Sequence, residues 1–444
     1  MSSPRLRFAP SPTGWLHVGN ARIAMANAMY AKKHGGKLIL RFDDTDAERN
    51  RPEYVQGIKT DLTWLGISWD ESFAQSERLD RYAEVAEKLK AKGLLYPCFE
   101  SEEELRVKRE MKIKQGRAPV YDRAMLNLTK AQYESALANG KIPYWRFKLS
   151  SRTVMVDDAV LGQRLVKLPS VSDPVLIRTD GMPLYTFTSV VDDIDSGVTH
   201  IIRGEDHVTN TGVQIDIIEA LGGKVPAFAH LPLLVDADGA KLSKRLEALS
   251  LRSLRADGVE PTAVTGFLAR LGTADSPEPG TVETLAPAFE LSRVSRSQPR
   301  FDIRQLLALN RKILHEASFA SIKDRLPAGA TEEFWMAIRG NLDLLSEARH
   351  WHDVVFGEIV PPPIESGAEI FAAAVSALPS TPWDGQTWKS WTTAITEATG
   401  TKGKALFQPL RQALTGEDHG PELAILLPLI GHEKVSARLR LAHA

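Results

Sequence analysis

Residues 5–46 constrain the fold more than any other stretch of the chain. Leu6 to Ala9 is an apolar run of strand length, and Pro10, Pro12 and Gly14 then break any regular element. Val18, Ala21, Met25, Ala28 and Met29 recur near helical spacing. Gly35-Gly36 ends that helix, and Lys37 to Phe42 reads as a second strand. Strand, loop, helix and strand make one βαβ unit, a crossover that is almost always right-handed.

The start of a helix carries unpaired N–H groups and a partial positive charge, so it attracts phosphate. His17 stands at that end and can donate in the charged form or in one neutral tautomer. Gly19 lets a ligand approach the backbone. On His17 alone, an ordinary βα turn with a surface histidine is the better reading.

Composition bounds the class. With 444 residues, 43% hydrophobic and 25% charged, the chain suits a globular protein of several domains. The single cysteine, Cys98, excludes an internal disulfide and a Cys-rich zinc site. Met1 to Arg5 lacks the apolar core of a signal peptide, and no apolar run reaches membrane-span length. A cytoplasmic enzyme without membrane attachment is expected. The net charge of −1 leaves room for a local basic face.

Arg7-Phe8-Ala9-Pro10-Ser11-Pro12-Thr13-Gly14, followed by His17-Val18-Gly19, resembles the first signature of class I aminoacyl-tRNA synthetases in its glutamyl form. Asn20 replaces the second histidine of that signature. Lys241-Leu242-Ser243-Lys244, after the apolar run Leu231 to Val235, resembles the second signature. Alone such a Lys/Ser loop is weak; paired with the first signature it is specific. Arg203-Gly204-Glu205-Asp206-His207, after Ile201-Ile202, matches a string of the same family and falls where an open parallel sheet binds ligands.

The resemblance implies an α/β fold: a Rossmann-type parallel-sheet catalytic domain with an inserted α+β acceptor-stem domain, followed by an all-α C-terminal anticodon-binding domain. Residues 1–95 and 185–245 would form the catalytic halves and 96–184 the insert. A helical stem-contact domain at 246–314 and the anticodon-binding domain at 315–444 would follow. From the residues themselves, 47–95 read as polar-faced helices, with Glu77, Arg78, Asp80 and Arg81 on a solvated face. Residues 141–200 read as β-rich, and 315–444 as helical, with one helix from Glu332 to Trp351. The basic helix with Lys108, Arg109, Lys112 and Lys114 is a solvated face or a tRNA contact with equal weight. Cys98 holds the first position of a zinc motif seen in relatives, but Glu100 takes the second, so no structural zinc is expected.

The resemblance also implies the chemistry. Glutamate would be activated by ATP, with Mg2+ as counter-ion, and passed to the terminal adenosine of tRNA-Glu, with tRNA-Gln as a further candidate; a monomer is expected. Arg7, Ala9, Ser11, Asp43, Tyr185, Ser189 and Arg203 would hold L-glutamate. Asp43 stands for a usual Glu and Ser189 for a usual Asn. His17, Gly19, Glu205, His207 and Lys244 would bind ATP. His17, Lys241 and Lys244 would be the catalytic set, with no protein metal ligands. A tRNA-modifying relative without an anticodon domain is opposed by the helical tail. A non-catalytic tRNA-binding relative is opposed by the retained site residues.

Overall fold

A computed structural model describes residues 3–240, 242, 249–362, 364 and 367–443. Its contacts divide the chain into two units, Met1–Ser253 with Val264–Asp302 and Leu254–Ala263 with Ile303–Ala444.

The first unit opens with β1 (Arg5–Phe8), α1 (Val18–Lys33) and β2 (Lys37–Phe42). β1 and β2 are parallel, in register from Arg5↔Lys37 to Phe8↔Leu40, so the βαβ unit forms as its pattern requires. α1 stops at His34, and Gly35 takes the left-handed φ of 58° that favours glycine. α2 (Pro52–Trp64) follows, and then β3 (Glu71–Ala74), which pairs with the far edge of β2. β3 was not foreseen, because four half-exposed residues carry no alternation to read. Next come α3 (Leu79–Ala91), β4 (Leu95–Cys98), α4 (Glu102–Lys114), α5 (Lys130–Ala138), β5 (Tyr144–Phe147), β6 (Thr153–Asp158), β7 (Gly162–Lys167) and β8 (Val175–Ile177). β4, β5 and β8 make a small antiparallel sheet.

The β-rich reading fails at α6 (Tyr185–Asp195). Thr186, Phe187, Val190 and Val191 favour strands locally, but Phe187, Val190, Val191 and Ile194 follow helical spacing and pack into the core. Burial of that face outweighs local preference. β9 (His200–Gly204), α7 (Val208–Ala220), β10 (Ala227–Leu231) and β11 (Val235–Asp236) complete the ligand-facing part. β9 lies on the free edge of β1, where Thr199 N donates to the Arg5 carbonyl at 2.9 Å. β10 is parallel to β9, and β6 joins β10 through Phe228↔Asp158. Read across, the strands run β3-β2-β1, then β9-β10-β6-β7. The chain winds outward from β1 on one side and from β9 on the other, so strand order reverses between them. Ligands bind at that crevice in open α/β sheets.

After β11 come α8 (Leu251–Ala256), α9 (Pro261–Arg270), α10 (Val282–Leu285) and β12 (Arg300–Phe301), which pairs with β11. The second unit holds α11 (Ile303–Glu316), α12 (Phe319–Ile322), α13 (Glu332–Ile338), α14 (Glu347–Phe356), α15 (Ala368–Ser376), α16 (Thr387–Thr399), α17 (Lys404–Thr415), α18 (Leu423–Ile430) and α19 (His432–His443). Its core gathers Phe334, Trp335, Phe371, Trp391 and Leu410. The single helix expected from Glu332 to Trp351 is two helices. A turn at Arg339–Asn341 interrupts it, and the Glu347 carboxylate accepts from Asp343 N and Leu344 N to start the second.

Candidate active site

The N-terminus of α1 is built around its histidine. His17 caps the helix: its Nδ1 accepts from Gly19 N at 3.0 Å, while Asn20 Oδ1 accepts from His17 N at 3.3 Å. Asn20, the departure from the family signature, thus closes a capping box. Nδ1 is an acceptor, so the neutral ring carries its proton on Nε2 and keeps that donor available. Burial lowers the pKa of His17, favouring this neutral form. A Cβ on Gly19 would lie 2.8 Å from His17 Cε1, so glycine also protects the ring's position. Ala9 and Ser11 lie in the loop after β1, and Pro10 O accepts from Asp43 N at 3.1 Å, tying that loop to the end of β2.

Lys241 and Lys244 lie outside the described residues. The chain on their far side meets the same helix start: Val18 N donates to Leu249 O at 3.2 Å and Leu251 N to Leu16 O at 2.9 Å. Ser250 thereby bridges to His17.

Beneath the loop is a buried ion network. Arg7, on β1, donates from Nε to Asp193 Oδ1 at 3.2 Å, and Arg41 Nη1 reaches the same oxygen at 2.9 Å. Arg41 also grips Asp43 through Nε at 2.7 Å and Nη2 at 3.3 Å. Burial raises the Asp43 pKa, opposed by Arg41. Burial pulls Arg41 down, but the carboxylates of Asp43, Asp193 and Asp192 outweigh it and hold the cation well above its ordinary value. Asp192 accepts from Gln75 at 2.8 Å, Arg78 at 2.8 Å and Tyr82 at 2.9 Å. The solvated-face reading holds for Glu77 and Asp80, which are exposed, and is corrected at Arg78 and Arg81, which both clamp Asp195 on α6. Sequence reasoning missed Arg41, Asp192 and Asp193; the available signal for the two carboxylates was an acidic pair directly after the apolar Val190-Val191.

Arg203, at the end of β9, is as buried as Arg7 but differently partnered. Nη2 donates to Thr211 Oγ1 at 2.6 Å, Nη1 to the Tyr185 hydroxyl at 3.3 Å and Nε to His230 Nε2 at 3.3 Å. Among the described residues it has no carboxylate ion pair, and burial lowers its pKa. His207 stacks obliquely on Tyr185 with centroids 5.6 Å apart. Tyr185, Ser189 and Asp193 follow one another on the same face of α6. They link the Arg203 pocket to the Arg7 pair. Ser189 is wholly buried and its hydroxyl has no partner among the described residues.

Glu205, expected in the ATP site, and Glu100, at the second position of the zinc motif, are both already engaged. Glu205 accepts from Leu233 N at 3.0 Å and Gln298 Nε2 at 2.9 Å, which fixes the loop after β10. Glu100 pairs with Lys108 at 2.5 Å and takes the Tyr121 hydroxyl at 2.7 Å. Cys98 beside them is buried, and burial pushes its thiol up to about 11. The described residues contain no cluster of His, Cys, Asp and Glu able to hold a metal ion.

Residues 4–308 match the catalytic domain of class I tRNA synthetases (E and Q), and residues 363–443 match an anticodon binding domain. Glutamate--tRNA ligase 2 of Gluconacetobacter diazotrophicus is 61% identical over 440 residues, covering 99% of both chains. The chain belongs to the glutamate–tRNA ligase family. Glutamate--tRNA ligase 1 of Maricaulis maris is 52% identical over 98% of both chains. A solved glutamate tRNA ligase from Elizabethkingia meningosepticum, in complex with its amino acid, superposes with a TM-score of 0.83 at 26% identity, covering 100% of this chain and 99% of that one. The α/β fold with a helical C-terminal region is therefore that of glutamate–tRNA ligases, class I enzymes that aminoacylate tRNA with ATP. No helix among the described residues is long and apolar enough to cross a membrane.

Proposed function

We propose that this enzyme activates L-glutamate with ATP and esterifies it to the 3′-terminal adenosine of tRNA-Glu. An oxygen of the α-carboxylate attacks the α-phosphorus of ATP, and the bond to pyrophosphate breaks. The 2′-hydroxyl of the tRNA then attacks the acyl carbon, and AMP departs. Neither step needs a protein nucleophile, so positioning and electrostatics carry the catalysis.

The observation that carries this reading is the pair of buried guanidiniums on neighbouring strands, Arg7 and Arg203, at the point where strand order reverses. Among the described residues Arg203 has only neutral acceptors, and a buried cation so placed calls for an anionic ligand. Arg7 and Arg203 are assigned to the two carboxylates of glutamate. Ser11 and Asp43 are assigned to the α-amino group, and Ala9, Tyr185 and Ser189 line the pocket. His17 Nε2, Gly19 N–H, His207 and the ammonium groups of Lys241 and Lys244 are assigned to ATP, with Glu205 supporting the same end of the sheet. Gln in place of Glu would leave a buried guanidinium without its counter-charge. Magnesium would supply charge neutralisation and is expected to arrive on the triphosphate, because Mg2+ in such sites is held largely by substrate oxygens.

The five-part division at 1–95, 96–184, 185–245, 246–314 and 315–444, a monomeric state, a cytoplasmic location and tRNA-Gln as a second acceptor belong to the same proposal. Charging assays with purified tRNA-Glu and tRNA-Gln test it. Glutamate transfer to tRNA-Glu is expected, and its absence with active tRNA would refute the reading.

A further inference from the structure

The three polar contacts of Arg203 all go to uncharged groups, and this depends on a tautomer. His230 Nε2 can accept from Arg203 Nε only while the proton of the neutral ring resides on Nδ1. Asp158 secures that arrangement. Its Oδ2 lies 2.5 Å from His230 Nδ1 and also accepts from His230 N at 3.0 Å. Its Oδ1 accepts from Val160 N at 2.9 Å and Leu161 N at 2.7 Å. A carboxylate surrounded by N–H donors stays ionised, so Nδ1–H is the donor toward it. The Thr211 hydroxyl lies 2.9 Å from Nε2 and 2.6 Å from Arg203 Nη2, completing the cradle.

The three groups come from neighbouring strands, Asp158 from β6, His230 from β10 and Arg203 from β9. One imidazole separates the carboxylate from the guanidinium. Arg203 is therefore oriented without direct neutralisation, whereas Arg7 shares an ion pair with Asp193.

We propose that Asp158 and His230 are positioning residues for Arg203, holding the imidazole in the tautomer whose Nε2 accepts from the guanidinium, so that Nη1, beside Tyr185, meets a carboxylate of glutamate. This rests on the assignment of Arg203 to glutamate. The groups facing His230 are Asp158 on β6, Arg203 with Asp206 and His207 at and after β9, Thr211 on α7, and Phe228 stacked 6.1 Å away on its own strand. Burial and Arg203 lower the pKa of His230 against the pull of Asp158. Protonation would place Nε2–H against Arg203 Nε–H, two donors and two positive charges facing each other.

The test uses the full-length enzyme with L-glutamate, ATP and tRNA-Glu. Asp158→Asn can donate its amide to Nδ1 and reverse the tautomer. It is expected to raise the glutamate KM by roughly tenfold or more, as for a lost hydrogen bond to a charged group, while the ATP and tRNA KM values stay within about twofold. His230→Gln offers a neutral acceptor and cannot titrate. It is expected to keep a glutamate KM within about threefold of the parent near pH 7.5 and to lose most of the rise in KM expected of the parent as pH falls below the ordinary histidine value of 6.5. Parental glutamate KM in Asp158→Asn overturns the proposal. So does an undiminished acid rise in His230→Gln, or an equal loss toward all three substrates in either variant. The parent alone tests the underlying function: no charging with glutamate would refute that reading before any variant is compared.

Discussion

Arg7 and Arg203 are buried cations on adjacent strands, yet among the described residues only Arg7 has a carboxylate partner, Asp193. One of these guanidiniums thus shares a carboxylate with Arg41, and the other has none among the described residues. Stability and recognition should consequently respond differently to the loss of each buried arginine.

Arg203→Leu should leave folding stability close to the parent. Removal of a desolvated charge favours the folded state, while the lost hydrogen bonds cost about 1 kcal/mol each. Its glutamate KM should rise roughly a hundredfold or more, the cost of removing one side of a buried charge contact. Arg41→Leu, by contrast, strands Asp43 and should cost about 3–5 kcal/mol. Denaturant titrations and steady-state charging on both variants check the contrast, and equal destabilisation would contradict it.

His17→Asn preserves a good helix cap but removes the Nε2 donor. Unfolding midpoints should stay near the parent, while glutamate- and tRNA-dependent ATP–pyrophosphate exchange should fall by roughly a hundredfold, as when one stabilising donor is lost. Near-parental exchange would show that the imidazole serves only as a cap.

Stability should fall as pH drops through the histidine range. Burial lowers the pKa of His17, His200, His207 and His230 below the model-peptide 6.5. The unfolded chain therefore takes up protons first, so stability is lost as pH falls below 6.5 until the lower folded values are reached. Asp43 and Asp192, raised by burial from 3.8, act with opposite sign in a more acidic window, just above 3.8. Thermal melts at about pH 7.5 and pH 5.5 should show the lower midpoint at the acid value.

Lys244→Ala should slow formation of glutamyl-adenylate more than it weakens tRNA binding, because an ammonium group there serves charge that builds on the leaving pyrophosphate. Single-turnover adenylate formation compared with filter binding of tRNA-Glu checks this. Equal turnover by variant and parent would remove Lys244 from phosphate chemistry.

Residues of the site that lie in short linear strings were legible before any coordinates. Arg7, His17 and Gly19 share one short stretch of sequence, and Arg203 and His207 share another, so local spacing carried them. Their partners were not legible, because pairing distance in the chain is long: Asp193 stands 186 positions from Arg7 and Asp158 stands 72 from His230. Arg78 looked like surface because its helix is charged, and only packing against α6 reveals its carboxylates. The helix at Tyr185–Asp195 was obscured by β-branched residues whose spacing, not identity, was the informative signal.

The placement of β6 has a practical consequence for anyone recombining such enzymes. The strand falls within the segment assigned to the acceptor-stem insert, yet it seats against β10, and Val166 on its hairpin partner would be 2.5 Å from a Cβ on Gly212 of α7. A chimaera that exchanges residues 96–184 for those of a distant cousin would import a foreign neighbour for His230. Grafts intended to redirect tRNA choice should therefore alter amino-acid fidelity as well, unless Asp158 and its turn travel with the host.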